Sequence, residues 1–320
     1  MPSPLISVVV CTYNRADLLG DVLQTLCDQN LAKSLYDVII VDNNSTDATK
    51  SISEQFITDH ENIHYYLELN QGLSHARNRG WRESKAEYVA YIDDDCKTPR
   101  QWLQTATTLI NRLSPAAFGG AFYPFYASPK PIWFKDSYGA HQPYDKPTVM
   151  DAKKCINIFG GNMFFRRSIL EAMGGFDPKF GMCGNKVAYG EETVLLIRIA
   201  TEVPKELLYF DPDLYLYHLV APQKMTLRWV VKSRFANGRQ AFFFPSAQIL
   251  RSRISMSRFK VVLSVFKLFR IMLVDSLRGF FKRDHEKYPF MANYLKESTL
   301  QKFYDLGFLY EHFRSASKVG

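Results

Sequence analysis

The sequence predicts an α/β fold on a mostly parallel sheet, followed by a basic helical extension. Three observations point there. Strand and helix patterns alternate through the first hundred residues. At 320 residues and 47 % hydrophobic content, the chain is large and apolar enough to bury a core. Its charge also changes sign near residue 220. The run Leu5–Cys11 is apolar and β-branched, as a strand buried on both faces requires. After a polar turn at Thr12–Arg15, the stretch Ala16–Asn30 sets Leu18, Leu19, Val22, Leu23 and Leu26 at helical spacing. The pattern then predicts a strand over Asp37–Val41, a helix over Thr46–Phe56, a strand over Ile63–Leu67, a helix over Leu73–Ser84 and a strand over Tyr88–Ile92. Such a succession folds with right-handed crossovers, and its ligands sit at the carboxyl ends of the strands.

Residues 122–150 are irregular, with five prolines among the aromatics Phe125, Tyr126, Trp133, Phe134 and Tyr138. A loop of this length is a candidate for function, and its rings for contact with a sugar face or for packing onto the sheet. Gly160–Gly161, Gly174–Gly175, Gly181, Gly184 and Gly190 follow, then a helix from about Glu191 to Glu202. There are no internal repeats.

The net charge is +8, from 40 Lys+Arg and 32 Asp+Glu, but it is unevenly placed. Residues 221–320 carry 19 basic and 6 acidic side chains, which leaves 21 against 26 for residues 1–220. A mildly acidic front part therefore precedes a strongly basic tail. This distribution speaks against a nucleic-acid-binding surface along the whole chain. Cys11, Cys27, Cys96, Cys155 and Cys183 are odd in number and contain no C-x-x-C pair, as expected of reduced thiols in a cytosol. No basic segment precedes the first apolar run, so it reads as a strand and not as a signal peptide.

The predicted strand ends are polar: Thr12, Tyr13, Asn14 and Arg15 after the first, Asp42, Asn43, Asn44 and Ser45 after the second, Asp93, Asp94 and Asp95 after the fourth. Asn14 and Ser45–Thr46 are equally suited to capping the next helix. The acidic triplet is different. Three adjacent carboxylates repel one another, and at a strand end on the ligand edge they call for a cation. A hard divalent ion such as Mg²⁺ or Mn²⁺ takes one or two carboxylates and fills its shell with phosphate oxygens and water.

Seven segments in order and spacing resemble the family 2 glycosyltransferases: VVVCTYNR (Val8–Arg15), DVIIVDNNSTDAT (Asp37–Thr49), NQGLSHARNRG (Asn70–Gly80), YVAYIDDD (Tyr88–Asp95), GGNMFFRRSIL (Gly160–Leu170), GGFDPKF (Gly174–Phe180) and YGEETVLLIR (Tyr189–Arg198). The resemblance spans roughly residues 5–220. It implies a GT-A fold over residues 1–220, with a nucleotide-sugar-binding half at 1–120 and an acceptor-binding half at 121–220. Residues 221–320 are left as a basic amphipathic helical region. It also implies sugar transfer with inversion, from a nucleotide sugar, UDP-linked, to a glycan or lipid-linked acceptor in cell-surface polysaccharide synthesis.

Carried over position by position, the resemblance assigns Thr12, Asn14 and Arg15 to the loop that meets the nucleotide. Asp42 would bind the uracil or ribose, with Asn44 beside it. Asn70, Gly72 and Arg77 would close over base and ribose, Arg77 also nearing a phosphate. Asp93–Asp95 fill the D-x-D slot, in which Asp93 faces the ribose and Asp95 binds Mn²⁺ or Mg²⁺, with Asp94 between them. Gly160, Gly161 and Asn162 would line the floor under the donor sugar, and His218 would complete the metal site or pack as an ordinary core histidine. The family's Glu-Asp pair stands here as Glu191-Glu192. The second place is the base, so Glu192 is expected to take the acceptor's proton and Glu191 to orient its hydroxyl. Arg166, Arg167 and Arg198 are open between phosphate partners and surface charges.

The segment Arg253–Arg283 has no apolar run of the ~18 residues a spanning helix needs. On a helical wheel Arg253, Lys260, Lys267, Arg278 and Lys282 share one face, and Val262, Val265, Phe266, Phe269, Leu273, Leu277 and Phe280 the other, with Arg258 on the wrong side. Two readings follow. The helix lies peripherally on an anionic membrane, at the cytoplasmic face, or it packs its apolar face onto the catalytic domain and shows its basic face to water. Competing activities fit less well. A nucleotidyltransferase needs a glycine-rich phosphate loop that CTYNRADLLG lacks, and a dinucleotide oxidoreductase needs a G-x-G-x-x-G absent from the first turn. A non-catalytic membrane scaffold for glycan assembly would not need the whole set of Asp42, Asp95 and Glu192.

Overall fold

The computed structural model describes residues 3–150, 158–184, 187–244 and 257–315. The chain divides into two units: Met1–Phe125 with Gly139–Lys186 and Glu191–Leu219, and Tyr126–Tyr138 with Val187–Gly190 and Val220–Gly320. Two short segments from the middle of the sequence thus group with the C-terminal helices.

The first unit opens as the alternation predicts: β1 (Ile6–Thr12), α1 (Ala16–Cys27), β2 (Tyr36–Asp42), α2 (Thr49–Asp59), β3 (Ile63–Leu67), α3 (Leu73–Glu83) and β4 (Tyr88–Asp93). Helix α2 starts three residues later than expected because Thr46 and Asp47 serve loop contacts, Asp47 Oδ1 accepting from the Thr49 N–H at 3.0 Å. There follow β5 (Cys96–Lys97), α4 (Trp102–Leu113), β6 (Ala117–Phe125), β7 (Thr148–Val149), β8 (Asn162–Arg166), α5 (Arg167–Met173), α6 (Glu191–Glu202) and β9 (Leu208–Leu219). The sheet runs β3-β2-β1-β4-β8-β6-β9-β5, with β7 on β9. β3, β2, β1 and β4 are mutually parallel, β8 is antiparallel to β4 and β6, and β6 is parallel to β9.

Period-two alternation buries both sheet faces. Ile6, Val8 and Val10 of β1 join α1 and α4 in one layer, where Trp102, Phe118 and Phe164 stack. Val9, Ile39 and Tyr91 meet α3, α5 and α6 in the other. The chain steps from β1 out to β3 and then returns to place β4 on the far side of β1. That reversal opens a crevice at the carboxyl ends of β1 and β4, the position at which open α/β sheets hold ligands.

The second unit is helical: α7 (Leu227–Ala241), α8 (Arg258–Lys282), α9 (Met291–Glu297) and α10 (Phe303–Ser315). α7 and α10 cross backbone to backbone. A Cβ on Gly238 would stand 1.9 Å from Tyr304 O, and one on Gly307 would stand 2.1 Å from Phe235 O, so only glycines permit the crossing. The aromatics Tyr126, Trp133, Phe134 and Tyr138 pack with Val220 and Met225. Trp133 O accepts from Asn293, and Lys135 pairs with Glu297 at 2.8 Å. These rings therefore serve the C-terminal unit, where the sequence offered a sugar platform or a sheet contact. Among the described residues, no helix is long and apolar enough to cross a membrane.

Candidate active site

Register brings the polar strand ends level. Thr12 lies opposite Asp42 in the β1–β2 pair, and Cys11 opposite Asp93 in the β1–β4 pair. Beyond β4 the chain turns through Asp94 and Asp95 into β5, which pairs Cys96 with His218 of β9, while the Leu219 N–H donates to Asp95 O at 2.9 Å. This pairing sets His218 Nε2 3.3 Å from Asp95 Oδ1 across 122 residues of sequence. Ligand atoms of Asp93, Asp95 and His218 lie within 4.8 Å of one another. Two carboxylates and an imidazole form a donor set that suits a divalent cation, and the crowding of negative charge at the strand end is what a cation relieves.

Arg15 reaches into the same corner, with Nη1 2.9 Å from Asp95 Oδ2 and 3.3 Å from Asp94 Oδ1. Asp94 is nearly buried. Burial pushes its carboxyl up to about 7, with Arg15 pulling it down and the charge of Asp95 pushing it further up.

A buried charge, Arg77 on α3, has its side chain 3 % exposed. Its guanidinium lies 5.9 Å from the Tyr91 ring centre and 5.5 Å from that of Phe176. Nη1 holds Glu191 Oε1 at 2.6 Å, and Nη2 donates to Gly160 O at 3.0 Å and lies 3.7 Å from Asp93 Oδ1. One buried cation thereby joins the acidic corner at β4 to the first turn of α6. Glu191 Oε2 is buried with no hydrogen-bond partner. Glu192, next along, is partly exposed and accepts from Thr193 at 3.1 Å. Burial of the group, then the charge of Glu191, raise its carboxyl to about 8 against the pull of Arg77.

The remaining expected residues divide. Asn14, with φ 52°, donates its N–H to Ser45 Oγ and accepts from the Thr46 N–H at 2.7 Å, so it staples the β1–α1 and β2–α2 loops as a cap would. Asp42 is buried, and its two oxygens accept from the Ser45 N–H at 2.8 Å and from Tyr65 OH at 2.9 Å. Asn44 is exposed beside it, and Asn70 is exposed with its side chain on Glu68. Gly72 has φ 141°, a conformation left to glycine, and its N–H is held by Asn43 Oδ1 at 2.7 Å.

Two expectations need correction. A Cβ on Gly160 would meet Arg77 Nη2 at 2.9 Å, and one on Gly161 would meet Asp93 Oδ2 at 2.6 Å. The room that these glycines leave is thus taken by the chain's own Arg77 and Asp93. Asn162 is fully buried and does not line the crevice. It accepts from Trp102 Nε1 at 3.1 Å and donates to Ala121 O and Leu214 O at 3.0 and 2.8 Å, tying β8 to α4, β6 and β9. Arg166, Arg167 and Arg198 are held by Glu206, Ala86 O and Glu202. The sequence did not single out Asn43 or Tyr65, which position the second-strand loop. Their only signal was adjacency to Asp42 for one and a central place in β3 for the other. Of the cysteines, Cys11, Cys27, Cys96 and Cys183 are free. Cys155 lies outside the described residues.

AglE, a glycosyltransferase of Haloferax volcanii, is 32 % identical over 178 residues, covering 54 % of this chain and 56 % of AglE, so the matched span is just over half of that relative. GalNAc(5)-diNAcBac-PP-undecaprenol beta-1,3-glucosyltransferase of Campylobacter jejuni is 26 % identical over 261 residues, covering 80 % of this chain and 77 % of its own. The mannosyltransferase PcManGT of Pyrobaculum calidifontis, solved with GDP-Man and Mn²⁺, shares the fold at a TM-score of 0.58 and 20 % identity, over 99 % of this chain and 76 % of that one. The fold is therefore GT-A, as the resemblance implied. The family description "Glycosyl transferase family 2" matches residues 7–174, which include Arg15, Arg77 and Asp93–Asp95 but not His218. This chain belongs to glycosyl transferase family 2.

Proposed function

We propose that the protein transfers a sugar, with inversion, from a nucleoside-diphosphate sugar, UDP-linked, to a glycan or lipid-linked acceptor in cell-surface polysaccharide synthesis. The observation that carries this reading is Arg77. It ties Asp93, in the corner suited to a metal-bound diphosphate, to the Glu191–Glu192 turn, where an acceptor base is needed. The C. jejuni relative, named for an undecaprenol-linked acceptor, supports the acceptor class. The free cysteines suit a reducing compartment, and a lipid-linked acceptor puts the enzyme peripherally at the cytoplasmic face of a membrane.

Glu192 is the base in this reading. Its carboxyl is raised into the range where it takes a proton near neutral pH and accepts a hydrogen bond from Thr193, whereas Glu191 is engaged by Arg77. The acceptor hydroxyl passes its proton to Glu192 as its oxygen bonds to the anomeric carbon. The bond from that carbon to the diphosphate oxygen breaks on the opposite face, and inversion follows. Asp93, Asp95 and His218 would hold Mn²⁺ or Mg²⁺, which supplies Lewis-acid stabilisation of the leaving diphosphate. Arg15 pairs with Asp94 and Asp95 and stands where it would meet a donor phosphate. Residues 1–120 serve the nucleotide and 121–220 the acceptor. Asp42 and Thr12 mark the floor of the nucleotide side, with Asn44, Asn70 and Gly72 at its rim.

The test is a panel of nucleotide sugars with Mn²⁺ or Mg²⁺, read by thermal protection and by transfer. One donor should protect the wild type, and Asp95→Ala should lose Mn²⁺ binding in calorimetry together with transfer. Full Mn²⁺ affinity and full transfer in Asp95→Ala would overturn the metal assignment.

A further inference from the structure

Helix α8 is built inside out. Its inward stripe is narrow and is centred on Val261, Met272 and Gly279, where a Cβ would stand 2.3 Å from the Tyr294 ring. Its large apolar side chains point the other way. Phe259, Phe266, Phe280 and Phe281 are each 65–75 % exposed, and Leu263, Leu273, Val274 and Leu277 are each more than half exposed. Within the C-terminal unit, these large apolar side chains are not the ones that α8 packs inward. At about 100° per residue, the exposed apolar sector spans roughly 140° on the side away from the inward stripe. Lys260, Lys267, Arg278 and Lys282 line its flank, and Arg270 lies within it. Arg253 of the expected basic face lies outside the described residues.

Charge selects the occupant. The helix has a single acidic residue, Asp275, and that one is turned inward, accepting from Tyr294 OH at 2.8 Å, Ser298 Oγ at 2.9 Å and Thr299 Oγ1 at 2.6 Å. Its hydrogen bonds hold its carboxyl low despite burial, so it stays charged and committed. The outward surface is thus apolar and basic with no acidic residue. A second copy docking by the same face would bring basic residues and no acid to meet them. We propose that α8 lies in the interface of an anionic lipid bilayer, with its phenylalanines and leucines among the acyl chains and its lysines and arginines at the headgroup phosphates. The inference concerns binding alone, so its fate is separable from that of the transfer reaction.

The experiment is flotation of the full chain with vesicles of phosphatidylcholine, with and without phosphatidylglycerol. Wild type should float with the anionic vesicles and not with the neutral ones. Phe266→Ser/Leu273→Ser/Phe280→Ser should abolish flotation. Lys260→Gln/Lys267→Gln/Arg278→Gln should weaken partitioning about 100-fold and reduce its dependence on salt. These side chains face outward, so circular dichroism and thermal unfolding should be unchanged. Equal flotation with both vesicle types, retention by the serine variant, or a lipid-free dimer that the serine variant dissociates would overturn the proposal.

Discussion

Replacing Arg77 with methionine removes a buried guanidinium while keeping most of the side chain's volume. Its partner Glu191 is buried as well, at 2.6 Å, with a second oxygen that already has no hydrogen-bond donor. Breaking a buried pair on one side leaves an uncompensated charge, at about 3–5 kcal/mol. Loss of the two ring contacts adds about 1–2 kcal/mol if both are desolvated. Arg77→Met is therefore expected to lose roughly 4 kcal/mol or more in urea unfolding at pH 7. Arg77→Met/Glu191→Gln should recover most of that stability, since no charge is then stranded, and should still transfer no sugar. A single variant within about 1 kcal/mol of wild type, or a double variant no more stable than the single, would refute the idea that this pair is the buried hinge of the site.

Glu192 should give the transfer rate a rising limb. Only the deprotonated carboxylate accepts a proton, so with its carboxyl near 8 the rate should climb about tenfold per pH unit below that value and level off above it. Glu192→Gln should cost about 10²–10⁴ in kcat. It should also stabilise the fold at alkaline pH, because a carboxyl raised in the folded state loses stability as pH rises from its unfolded value towards 8. A flat pH–rate profile in the wild type would refute the assignment. Asn162→Ala strands Trp102 Nε1, Ala121 O and Leu214 O and should cost about 2–5 kcal/mol in unfolding, with KM for the donor unchanged at a temperature where the variant stays folded. A raised donor KM would return Asn162 to the sugar floor.

The sequence determined what local pattern and composition can carry. The β-branched runs of β1, β2 and β4 and the helical spacing of α1 and α3 specify those elements with little help. The acidic triplet marks its own strand end, because three adjacent carboxylates have no local reason to cluster. The basic tail was legible as a count. Tertiary structure decided everything that joins distant positions. His218 meets Asp95 only because β5 pairs with β9. Arg77 in NQGLSHARNRG was expected beside the nucleotide, and the fold buries it between Asp93 and Glu191. Gly160, Gly161 and Asn162 read as a sugar floor, and the fold gives the glycines' space to Arg77 and Asp93 and spends the asparagine on three backbone and indole partners. The orientation of α8 was equally undecided, since a helical wheel shows which residues share a face but not which face turns inward. That choice rests on Gly279 against Tyr294 and on Asp275 with its three hydroxyl donors, contacts that no local periodicity encodes.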